Sequence, residues 1–202
     1  MNKTLFRMTA IVCALTFFVA IFGGVHLYAS FSPVSHVVID TDKSVELTLN
    51  RYDRVIVSRL YHEEGADALT QLKLDGLSLL QAVDAIMDAA FLTDSFDPDA
   101  GVGVFVCVHG PNEAVSQTTA ESLTGTVNEH LRMLGVRCRA CGMACPDQFL
   151  AVGHNKDVSP GRLCMISVLE REYADPESAV YERMLKYSSR QLMRKYSDAA
   201  GF

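Results

Sequence analysis

The chain has 202 residues, with 18 Lys and Arg against 24 Asp and Glu and a formal charge of −6. That balance argues against a nucleic-acid partner, which calls for clustered positive charge, and the absence of Trp with 8% aromatic residues weakens any stacking platform for single strands or sugars. The length allows one domain of ordinary size and a helical tail.

Residues 8–28 carry no charge, and only Thr9, Thr16 and His26 are clearly polar. As a helix this stretch spans roughly 31 Å, the thickness of a bilayer core. Lys3 and Arg7 precede it and no basic residue follows closely. The positive-inside rule therefore makes residues 1–7 a cytoplasmic stub and places the bulk of the chain outside the cell membrane, which it crosses once. The segment is a transmembrane anchor or an uncleaved signal, since the apolar run exceeds a secretory h-region. Removal after Leu27-Tyr28-Ala29 is the competing outcome. Residues 29–34 are a short tether.

Residues 37–58 read VVIDTDKSVELTLNRYDRVIVS. Val37 and Ile39 alternate with Val38 and Asp40, and Val45, Leu47 and Leu49 alternate with Glu46, Thr48 and Asn50, a period of two that predicts strands with one buried face. The knot Thr41-Asp42-Lys43 separates the first two strands. Residues 50–54 turn into a third strand over 55–61, completing a meander. Ser78 and Gln81 have capping-box spacing, so a helix starts there, with Leu80, Val83, Ile86 or Met87, and Ala90 inward. Residues 94–101 form a loop. The run from 102 to 108 is almost wholly apolar and predicts a strand covered on both faces. Pro111-Asn112 opens a helix carrying Val115, Thr119, Leu123, Val127, Leu131 and Leu134, closed by Gly135. A last short strand is expected over 136–140.

The remainder reads as helical. One short helix covers 146–154. Ser159-Pro160 caps another that runs to Arg171, with Leu163, Ile166 and Leu169 inward. Asp175-Pro176 repeats that cap chemistry, and Ser188 with Gln191 predicts a final short turn of helix. The fold class is α+β: a small mixed β-sheet, built as a meander followed by α-β-α-β, with helices packed on it as two layers. Residues 35–140 form this extracytoplasmic sheet domain and 141–202 a helical C-terminal region.

The block from Asp40 to Arg51 also resembles the extracytoplasmic middle domain of RsgI-type anti-sigma factors. Asp40, Ser44, Val45, Glu46, Leu47, Asn50 and Arg51 match that family's Asp-x-Asn-Pro-Ser-(Val/Ile)-Glu-Leu core and its Asn-Arg turn. Residues 157–166 and 188–192 resemble two later segments of the same domain. The resemblance implies a regulatory protein whose exported part transmits wall or polysaccharide signals. It also implies a self-cleavage position, an Asn-Pro bond in the turn after the first strand. Asp42-Lys43 stand there instead, without proline's tertiary amide and fixed φ, so the bond is expected to stay whole. With seven residues ahead of the apolar segment, direct sigma binding is not expected. The expected partners are the membrane, through residues 8–28, and a membrane- or wall-associated signalling protein.

Several other residues have a chemical as well as a plain structural reading. The oxygens of Asp40, Asp42, Ser44 and Glu46 imitate the start of a calcium loop. Val45 and Arg51, however, occupy the positions where such a loop needs glycine and a bidentate acid. Cys138, Cys141 and Cys145 cluster in sequence. They suit a structural disulfide or inert thiols, a Cys-x-x-Cys redox pair, or zinc with His154 as fourth ligand. Cys107 and Cys164 read as core residues. His36, His62, His109 and His130 are scattered without metal-ligand spacing. Lys186, Arg190, Arg194 and Lys195 form a solvated basic face, or a contact for anionic lipid or wall polymer. No nucleophile elbow, zincin motif or phosphate loop is present. No enzyme activity and no cofactor are expected; the alternative function is an exported metal- or thiol-binding protein using the cysteine cluster and zinc.

Overall fold

The computed structural model describes residues 3–61, 68–96, 101–173 and 179–201. A long apolar helix, α1 (Lys3–Phe31), leads into the sheet through residues 32–34. Within it Ile11–Phe31 is long and apolar enough to cross a membrane, and it is exposed except at its end, where Ala29 is buried against the sheet domain. An unburied apolar helix of this length is what a bilayer would cover.

Five strands follow: β1 (Ser35–Asp40), β2 (Ser44–Leu49), β3 (Val55–Tyr61), β4 (Val102–His109) and β5 (Arg139–Ala144). They form one mixed sheet in the order β3-β2-β1-β4-β5. The meander pairs antiparallel, β1 also runs antiparallel to β4, and β4 and β5 are parallel. The strand that follows the apolar helix is therefore the centre of the sheet.

Two helices cover one face: α2 (Leu79–Leu92) and α3 (Glu113–Met133). The Ser78–Gln81 capping box forms in full, and Asn112 accepts from the Val115 N–H to cap α3. Val83, Ile86, Met87 and Ala90 of α2 and Leu123, Val127 and Leu131 of α3 are buried as expected, and the difference lies in the first turns. Leu79 and Ala82 are buried while Leu80 is exposed, and Ser116 and Ala120 replace Val115 and Thr119. Small residues win those positions because α3 lies close to β5. A Cβ on Gly142 of β5 would collide with the Thr124 hydroxyl of α3.

The C-terminal helices are not an appendix to a two-layer sandwich. α4 (Asp147–Lys156), α5 (Pro160–Tyr173), α6 (Ala179–Met184) and α7 (Ser189–Ala200) supply a third layer. Val38, Phe105 and Cys107 face them and are buried with Cys164, Met165, Ile166, Leu169, Leu192 and Met193. Every β4 residue from Val102 to Val108 is buried, as its apolar run predicts, and this layer is what covers its second side. α7 spans 12 residues rather than one turn, with the Ser188–Gln191 box intact. The last strand begins three residues later than expected and runs through Cys141 to Ala144. The Asp175-Pro176 cap and His62 lie outside the described residues.

Candidate functional site

The family-like block lies on the β1–β2 hairpin. Asp40 faces Ser44 across the ladder, leaving Thr41, Asp42 and Lys43 as the loop. The Thr41 N–H and hydroxyl both donate to the Lys43 carbonyl, at 2.8 and 3.1 Å. Asp42 is exposed, and its carboxylate lies 3.3 Å from the Arg190 side chain of α7. Arg190 also donates to the Asp94 carbonyl, so this member of the C-terminal basic set is engaged within the fold. At the other end of β2, Asn50 is buried. Its amide oxygen accepts from the Tyr52 and Arg54 N–H groups, which closes the turn. Its amide nitrogen donates to the Ser30 carbonyl, 2.8 Å away, fastening the meander to the end of α1. Arg51 is exposed in that turn.

Asp40 is 1% exposed and faces the C-terminal layer. The Ser159 hydroxyl donates to its Oδ1 at 2.6 Å, and Oδ2 has no hydrogen-bond partner. Burial pushes its carboxyl up to about 6, against the opposing pull of Ser159, Ser44 and the Arg162 charge. Gly161 is the residue that lets α5 come this close, because a Cβ there would collide with the Asp40 carboxylate. Gly161→Ala is expected to lower stability by about 1–3 kcal/mol through that overpacking. An unchanged urea midpoint would show that helix and strand can separate freely.

Glu46, on the same strand as Ser44, gathers three donors. Tyr61 donates to Oε2 at 2.5 Å, His36 Nδ1 lies 2.8 Å from Oε1, and His154 Nε2 lies 2.8 and 2.9 Å from the two oxygens. Burial by itself would raise this carboxyl. The bonds from His36, Tyr61 and His154 outweigh it and hold the group down at about 2. The same arrangement raises the Tyr61 hydroxyl far above its usual range, through burial and then the Glu46 carboxylate. Two histidines distant in sequence thus converge on one acid. Residues 36 and 154 belong to β1 and α4, and no local spacing connects them.

The cysteines are not grouped as their sequence positions suggest. Cys138 is buried on the α2–α3 side, against Gly103. Cys141, three residues on, points to the opposite face of β5, where burial pushes its thiol up to about 11. His154 is committed to Glu46. The set Cys138, Cys141, Cys145 and His154 therefore has no common centre. Cys145 instead meets Cys107 of β4 and Cys164 of α5, all three sulfurs lying within 4.8 Å of one another. Sequence reasoning placed Cys107 and Cys164 correctly in the core but could not show that they face each other.

A cleft of about 660 Å³ opens beside these residues, where β4 and β5 end. Val34 of the tether, His109, Asn112, Cys145 and Asp147 line it. It is the point at which the linker from α1 meets the carboxyl ends of the parallel strands.

Residues 34–167 match the anti-sigma factor RsgI-like central domain. The chain is also similar to anti-sigma-I factor RsgI7 of Acetivibrio thermocellus, at 24% identity over 181 residues. That alignment takes in 90% of this chain but spans 33% of the relative. The matched region begins at the tether, contains the whole sheet with its Asp40–Arg51 hairpin, and ends inside α5. By the extent of that match, this chain belongs to the RsgI-like central domain family.

Proposed function

We propose that the protein is a membrane-tethered regulatory domain, non-enzymatic and exposed outside the cytoplasm, that passes a signal between the cell exterior and a membrane-associated partner. One observation carries this reading. The apolar helix runs within three residues into β1, the central strand, which is bonded on both sides. Val34 donates to the Leu49 carbonyl and Asn50 to that of Ser30, so the anchor and the sheet are joined at the junction. A displacement of either one is delivered to the other. The relative's name, an anti-sigma-I factor, suggests a sigma-factor pathway as the destination of the signal. Protease added to intact protoplasts tests the topology: residues beyond 34 should be digested from outside. A domain protected until the membrane is opened would overturn the reading.

The hairpin loop should stay covalently whole in this protein. Lys43 is not proline, and the Asp42 carboxylate is drawn toward Arg190. Mass spectrometry of the protein isolated from membranes is expected to show an unbroken 42–43 bond. The double variant Asp42→Asn, Lys43→Pro should restore cleavage, since position 43 lies in the loop outside the ladder pairs. A wild-type chain recovered in two pieces would show that proline is dispensable.

A further inference from the structure

We infer that Cys107, Cys145 and Cys164, with Asp40 as fourth donor, form a structural site for one zinc ion between the sheet and the C-terminal layer. The four groups come from four places in the chain. Cys107 is mid-strand in β4, Cys145 follows β5, Cys164 lies on α5, and Asp40 ends β1. All are buried, and Cys107 and Cys164 approach to 3.2 Å between sulfurs. Around a tetrahedral zinc, with Zn–S near 2.3 Å, sulfurs stand roughly 3.8 Å apart. A trio within 4.8 Å reaches that arrangement by side-chain rotation.

The second observation is Asp40. A buried carboxylate oxygen with no partner is costly, and such atoms call for an explanation. Oδ2 has none, and the carboxylate faces the C-terminal layer that also buries the three sulfurs. The Asp40 carboxylate fills the space left by the missing Cβ of Gly161, and the Cβ of Cys107 lies 3.4 Å from the same point. Gly161 and Cys164 are three residues apart on α5 and so share a face. A cation held by the three sulfurs would also satisfy the orphaned oxygen once the Asp40 side chain turned toward it. A Cys107–Cys164 disulfide would use two sulfurs and leave Cys145 and Asp40 as they are. Three thiolates select a soft or borderline ion over magnesium or calcium, and a closed buried set is the habit of structural zinc. On binding, the thiols release their protons to solvent as the thiolates coordinate. The four ligands thus become one knot joining β1, β4, the β5–α4 junction and α5.

The test uses the full chain in detergent, reduced and stripped with chelator, then titrated with cobalt(II) and displaced by zinc(II). One equivalent of cobalt should give tetrahedral bands and thiolate-to-cobalt charge transfer, lost when zinc is added. Cys145→Ser and Cys164→Ser should weaken binding beyond the roughly hundredfold that loss of an outer-shell partner costs. Asp40→Asn should weaken it by about tenfold or more. Cys138→Ser and Cys141→Ser should leave it unchanged. Because the wild-type spectrum alone reports thiolate ligation, a variant that fails to fold does not rescue the idea. Absence of charge transfer in the reduced wild-type protein overturns it, as does a Cys107–Cys164 disulfide in protein isolated without oxygen. Loss of cobalt in His154→Ala, with binding intact in Cys145→Ser, would move the ion to the Glu46 group and also overturn it.

Discussion

Replacing Glu46 by alanine is expected to destabilise the protein by about 3–4 kcal/mol. The carboxylate is 2% exposed and is the common acceptor for Tyr61, His36 and His154. Alanine leaves the Tyr61 hydroxyl buried without a partner, and removes the bond from His154 of α4 to strand β2. The effect also has a pH signature. The Glu46 carboxyl titrates near 2 in the folded protein against an ordinary 4.5. A depressed folded-state value stabilises the protein above pH 4.5, and that contribution disappears as pH falls from 4.5 toward 2. The difference amounts to about 3 kcal/mol. Urea unfolding followed by tyrosine fluorescence, in the wild type and in Glu46→Gln, measures it directly. The gap between the two should be full at pH 6 and closed near pH 2. A gap that stays constant across that interval would mean that Glu46 owes its place to shape and not to charge.

What could be read from the chain beforehand follows from the range of each interaction. The meander, the capped starts of α2 and α7 and the doubly covered β4 depend on neighbours within a few residues, and these were legible. The hairpin block from Asp40 to Arg51 was legible as a family mark. Its physical content was not, because Asp40 takes its partner from Ser159 and Glu46 takes one from His154. Those contacts span 119 and 108 residues. The cysteines show the limit most clearly. Proximity in sequence suggested Cys138, Cys141 and Cys145, yet a strand turns residues three apart to opposite faces. The sulfurs that meet are contributed by a strand, a junction and a helix. The third layer was implied by β4, whose apolar run demanded cover on both sides, but the polar look of residues after 145 concealed which segment would provide it.

Arg162→Ala should cost about 3–5 kcal/mol and should loosen one layer before the rest. The guanidinium is 5% exposed and sits at the start of α5. It donates to the carbonyls of Leu185 and Tyr187 and to the Ser189 hydroxyl, the three groups that form the entry to α7. Its charge also opposes the cost of burying Asp40. Alanine removes the cation from a buried carboxylate and leaves the α6–α7 connection without its donors. Leu192 and Met193 would then lose the contact that keeps them on the sheet, along with the Tyr196 ring, now 5.3 Å from that of Phe105. Amide hydrogen exchange should therefore accelerate first in residues 185–200, while β1, β2 and α2 keep their protection, because local opening needs less than the global free energy. Arg162→Lys should recover only part of the loss. An ammonium restores the charge near Asp40 but cannot span the carbonyls and the hydroxyl as a planar fork does. Equal protection of α7 in the wild type and in Arg162→Ala would show that apolar burial alone holds the third layer, and that the arginine is incidental to it.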